Sequence, residues 1–206
     1  MTPRLRRVLV AAIVLLAQAN TADAHIVASR LGDFYAGALH PLTILQDLIL
    51  WGAIGVLAGS LGAPRGRWLV LVFPLGLLTG LVLERSSGIA AAGSTTDAAM
   101  ILVLGLLLAA AIRIPTSLLC ALAFALAVIR GAANAADLGP DTDRWLFAAG
   151  LACVGYVVVT LTMALTLVFH GTDATNAITW RQITLRAFGG WIAAIGLMMV
   201  GLSLAS

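Results

Sequence analysis

The sequence predicts an all-α protein, a polytopic bundle of six transmembrane helices behind a cleaved signal peptide. Three observations carry that expectation. The chain of 206 residues is 61% hydrophobic and only 10% charged, whereas soluble domains carry about a quarter charged residues. Its mean hydropathy is +1.05. The apolar residues gather into long runs separated by short polar breaks, as they do in helices immersed in lipid. The pI of about 9.5 comes from arginines scattered singly through those breaks. No basic stripe with interleaved aromatics appears, so nucleic acid is excluded as a partner and the lipid bilayer is the expected one.

Residues 1–24, MTPRLRRVLVAAIVLLAQANTADA, hold Arg4, Arg6 and Arg7, an apolar stretch from Val8 to about Ala19, and Ala22-Asp23-Ala24. A charged segment, a short apolar segment and a small-x-small site make a secretory signal peptide. Its apolar part is too short for a comfortable span of a hydrocarbon core about 30 Å thick. Cleavage after Ala24 makes His25 the mature N-terminus. A terminal amine beside an imidazole is a bidentate chelator suited to nickel or copper.

A single domain, 25–206, follows, with apolar runs at roughly 42–61, 68–83, 98–112, 116–130, 145–169 and 187–205. Each is long enough, or nearly so, to span as a helix at about 1.5 Å per residue. Pro41 suits the first position of the first span, with Asp47 about 9 Å along its axis. Pro74 predicts a kink in the second. Arg113-Ile114-Pro115 leaves room only for a tight hairpin between the third and fourth. Gly55-Val-Leu-Ala-Gly59 and Gly76-Leu-Leu-Thr-Gly80 are small-xxx-small patterns that let helices pack closely. Trp68, Trp145 and Trp180 fall at or near span ends, as interfacial aromatics do. Cys120 and Cys153 each lie in an apolar run with no metal-binding spacing, and read as core thiols.

A cleaved signal places the N-terminus outside, and six spans return the C-terminus there. The inner loops then hold Arg65, Arg67, Arg113, Arg181 and Arg186 beside Asp173, while most acids fall outside. That sense agrees with the positive-inside tendency. It implies a multi-pass protein of the bacterial inner membrane with a periplasmic mature N-terminus.

An ionisable residue inside a span is a functional candidate, because leaving it there uncompensated costs several kcal/mol. Asp47 is the clearest case. His40 stands seven residues before it, on the same face of a helix but roughly 10 Å away in height. Metal–ligand distances are about 2 Å, so this pair needs other segments to close a site. His25, His40 and Asp47 form the candidate metal set at the outer end, with Thr43 and Gln46 adding polar character. The plainer alternatives are a capping or interfacial His40 and an ion-paired Asp47.

His40-Pro-Leu-Thr-Ile-Leu-Gln-Asp-Leu-Ile-Leu-Trp-Gly-Ala-Ile-Gly55 aligns without gaps on the HPxxGxDHxxxxxxxG signature of HupE/UreJ-type proteins, which the chain resembles over essentially its whole mature length. The signal peptide ending in Ala-His, Gly32-Asp-Phe-Tyr-Ala-Gly37, residues 99–108 and residues 186–196 are similar to the same family. The resemblance implies a small inner-membrane protein linked to nickel or cobalt uptake for hydrogenase and urease. The departures are specific. The family's G, D and H after the HP pair are Ile44, Gln46 and Asp47 here. Its HGxxHGxE-like end of the fourth span is Arg130-Gly-Ala-Ala-Asn-Ala-Ala-Asp137, with arginine and Asn134 where histidines stand and Asp137 as a shortened acid.

In the expected topology the first span begins outside and the fourth ends outside, which sets Asp47 and Arg130 at similar depth. An Asp47–Arg130 ion pair can bridge the same two helices with no metal. Two functions follow from the resemblance. One is permeation or delivery of a divalent metal, Ni2+ or Co2+, with Cu2+ also suited to the His25 chelate. The alternative is a non-transporting accessory or structural subunit of a larger membrane complex that has lost most metal ligands. Besides lipid, the expected partner is a further copy in a homo-oligomer or that larger complex. Catalysis is not expected: no HExxH, GxSxG or phosphate-binding loop appears.

Overall fold

The computed structural model describes residues 32–87, 93–112, 114–136, 138–171 and 180–205. The expected signal peptide, His25 and Asp137 lie outside them. The described residues form seven helices and no strand: α1 Asp33–Thr43, α2 Leu45–Ser60, α3 Ala63–Ser87, α4 Ser94–Ala110, α5 Thr116–Ala136, α6 Arg144–His170 and α7 Trp180–Ala205. Four of these, α3, α5, α6 and α7, are long and apolar enough to cross a membrane. The third expected span is the shorter apolar helix α4.

The first expected span, 42–61, is corrected. The helix starts at Asp33, runs through Pro41 and breaks at Ile44, and α1 meets α2 at 84°. Proline removes one helical N–H bond and crowds the carbonyl four residues earlier. The broken end is closed locally. Ile44, extended at φ −94 and ψ 110, donates its N–H to the Pro41 carbonyl at 3.3 Å. The Thr43 hydroxyl donates to the His40 carbonyl at 2.8 Å. His40 and Asp47 therefore stand on different helices, and Asp47 lies in the first turn of α2 rather than two turns into a longer one. Pro74 lies within α3, which continues to Ser87.

α3 packs along α5, α4 along α7, and α1 and α2 both lie on α6, with α2 also touching α3 and α4. The core forms around α2. Leu50, Trp51 and Ile54 are buried against Phe73, Ile101, Leu104 and Leu151, and the Trp51 and Phe73 rings meet edge-on at 5.6 Å. Close approach depends on glycine. A Cβ at Gly55 or Gly59 would run into Thr162 and Thr166 of α6, and one at Gly76 or Gly80 into the α5 backbone. Both small-xxx-small patterns thus lie on helix interfaces. Trp68, Trp145 and Trp180 are exposed near helix starts. Cys120 is half-buried and Cys153 exposed, so neither is a core thiol.

This packing sorts the charges to two ends. The starts of α1 and α6 are tied by the Asp143 N–H donating to Asp33 at 2.8 Å, and Arg144 reaches Glu84 near the end of α3. Asp47, Asp97, Asp141 and Arg130 share that end. The opposite end carries Arg65, Arg67, Arg181 and Arg186 and, among the described residues, no acid.

Candidate functional site

The break at Ile44 starts a new helix and places Asp47 in the first turn of α2. A carboxylate is favoured there, because unpaired N–H groups and the helix dipole both present positive charge. Asp47 is completely buried. α5 passes opposite it and reaches Ala136, six residues beyond its expected end at 130, so Arg130 and Asn134 lie one turn apart inside a helix. Gly131 lets this turn close on Leu77 of α3.

The Arg130 guanidinium donates through Nε to Asp47 Oδ1 at 2.7 Å and through Nη1 to Asp97 Oδ1 at 2.8 Å. Asn134 Nδ2 donates to Asp47 Oδ2 at 3.2 Å and to the Arg130 carbonyl at 2.8 Å. The two acceptors fix the amide orientation, since a flipped side chain would set oxygen against oxygen at both. Asn134 presents a donor to Asp47, and its own Oδ1 is buried without a hydrogen-bond partner. Both Asp47 oxygens are thus engaged by N–H groups. Arg130 is 5% and Asn134 1% exposed. The Asp97 side chain keeps 16% and faces the rim.

The structure therefore brings together Asp47, Arg130 and Asn134, the positions at which HupE/UreJ-type signatures carry histidine. Asp97 is the member that sequence reasoning missed. The apolar run begins at about residue 98, which leaves Asp97 just outside the expected span, yet α4 starts at Ser94 and Asp97 occupies its first turn. A signal was present in Ser94-Thr-Thr-Asp97, a polar helix-start pattern before an apolar run, although the helix is capped at Gly93 and without a side-chain bond.

The candidate metal set fares differently. His40 lies on α1, its ring 6.1 Å from that of Phe147, across the bend from Asp47. Gln46 is half-buried and makes no hydrogen bond to the network. Among the described residues no three His, Cys, Asp or Glu side chains gather closely enough to hold a metal ion.

Chemically, the site is a fixed cation clamped by two carboxylates from different helices and steadied by an amide. The guanidinium is charged at every accessible pH, and its planar fork makes strong, oriented bonds to carboxylates. The arrangement joins α2, α4 and α5.

A sequence profile for the family described as HupE / UreJ protein matches residues 12–199. No curated protein and no solved structure matches the chain.

Proposed function

The chain belongs to the HupE/UreJ family, and on that premise we propose that it is a non-transporting, non-catalytic accessory protein of the bacterial inner membrane, whose family metal site is filled by its own guanidinium. The observation that carries this reading is Arg130 seated between Asp47 and Asp97. The family is linked to nickel and cobalt transport, and three motif histidine positions converge here as aspartate, arginine and asparagine. A Ni2+ or Co2+ ion would have to displace the guanidinium into an apolar interior and approach Asp47 against the N–H of Asn134. Both steps are unfavourable, since a buried charge stripped of its partner costs about 3–5 kcal/mol. The scaffold would then serve by packing against a larger complex, with its mature N-terminus, His25 after signal cleavage, in the periplasm.

The test is nickel and cobalt uptake into proteoliposomes, together with sizing of the mildly solubilised native protein. Uptake no faster than in protein-free vesicles, with migration in a stoichiometric larger complex, is expected. Saturable uptake by the wild-type chain would return the permease reading. The combined substitution Asp47→His, Arg130→His and Asn134→His should create nickel binding that the wild type lacks.

A further inference from the structure

At the arginine end, the ends of α2 and α4 and the starts of α3 and α7 line an open cavity of about 660 Å3. Its walls include Leu57, Leu107, Leu108 and Leu185, and its mouth carries Ser60, Arg65 and Arg186. Arg186 Nε donates to the Ala109 carbonyl at 2.9 Å, which satisfies a terminal carbonyl of α4 and holds the guanidinium at the rim. Among the described residues the Arg65 guanidinium has no hydrogen-bond or ion-pair partner, its backbone N–H donating to the Gly62 carbonyl, and neither arginine meets a carboxylate. Two exposed cations, one of them held by its bond to α4, therefore stand over an apolar hollow at a helix-end level, and Trp68 and Trp180 are exposed at the same end. Arg67 and Arg181 lie over those two indole rings, at 5.3 and 5.7 Å.

From this we propose that the cavity binds one anionic phospholipid, its headgroup phosphate between Arg65 and Arg186 and an acyl chain along the leucine wall. Each half of the cavity fits one half of such a molecule. Guanidinium groups bind phosphate oxygens bidentately, and a basic pocket between membrane helices is a natural seat for an anionic headgroup. The volume is that of a ligand pocket rather than a packing defect, which would hold only a few water molecules. The hollow is lined by α2 on one side and by the α4–α7 pair on another, so a bound chain would lie against all three helices.

Native mass spectrometry of the purified full-length protein tests this, with phosphatidylglycerol and phosphatidylcholine of identical acyl chains supplied at equal concentration. Two arginines at the attraction usual for a basic residue near an anionic membrane surface give a preference of about 30-fold for phosphatidylglycerol. The double variant Arg65→Gln, Arg186→Gln should reduce this to about threefold or less. Arg65→Lys with Arg186→Lys should keep most of it, which separates loss of charge from loss of fold. Equal retention of the two lipids, or an undiminished preference in the glutamine variant, overturns the proposal. Displacement of the lipid by millimolar inorganic phosphate would also overturn it, because it would show an anion site with no use for the acyl chain.

Discussion

The two ends of the bundle use arginine in opposite ways. At one end Arg130 is buried and its guanidinium fixed by two carboxylates, one of which also accepts from the Asn134 amide, with its charge spent inside the protein. At the other, Arg65 and Arg186 stand at the mouth of an open cavity, and no described acid is near them. The difference follows from helix direction and from where the acids fall. Asp47 and Asp97 both occupy first turns, where the helix dipole favours a carboxylate, and α5 carries Arg130 between them. The opposite end receives the starts of α3 and α7, which bring arginine and no acid. One end is therefore a closed structural joint and the other remains free to meet an external anion.

The largest test of that contrast is to break the joint. Asp47→Asn or Arg130→Gln leaves the other partner as a poorly solvated charge, and each should lower stability in detergent by about 3–5 kcal/mol. The double variant should recover part of the summed loss, because the residues contact each other directly. Thermal unfolding of all four proteins measures this. Additive losses would show that the pair contributes nothing as a pair. The same substitution at Arg65 should leave the unfolding midpoint of lipid-free protein almost unchanged.

Asp97→Asn is expected to have a smaller effect. The cluster has one more carboxylate than guanidinium, so removing the Asp97 charge relieves an excess while an amide oxygen can still accept from Arg130 Nη1. Its side chain is also partly open to the rim. A loss of about 1 kcal/mol, the usual net worth of one hydrogen bond, should be seen in the same unfolding experiment. A loss as large as that of Asp47→Asn would make the cluster an indivisible triad rather than a pair with a rim partner.

How much of this is legible in the sequence differs between the two ends as well. Apolar runs locate α3, α5, α6 and α7, and the replaced histidines by themselves single out Asp47 and Arg130. Hydropathy finds the lipid-soluble part of a helix, not its hydrogen-bonded extent. It therefore misses the polar turns that start α4 at Ser94 and α7 at Trp180 and that carry α5 to Ala136. The break at Ile44 is hidden because isoleucine is apolar and no breaker in its own right. The family signature has glycine at that position, which is the clue to an irregular backbone. Asp97 escapes for the first reason. The cavity is beyond sequence reasoning altogether, since it depends on how four helix ends diverge.

The smallest expected effect is at the rim of the closed end. Arg144 and Glu84 approach to 3.6 Å with side chains 38% and 24% exposed, longer than a good charge-assisted bond. Exposed pairs contribute about 0–1 kcal/mol, because solvent screens them and two long side chains must be held in one geometry. Glu84→Gln should therefore shift the midpoint by no more than that, and added salt should erase the difference. The variant makes a control for Arg130→Gln, since both remove one charge of an arginine–carboxylate pair at the same end of the molecule. If Glu84→Gln proved as damaging as Arg130→Gln, burial would not be what separates a structural ion pair from a surface one here. The contrast between the ends would then rest on the number of charges alone.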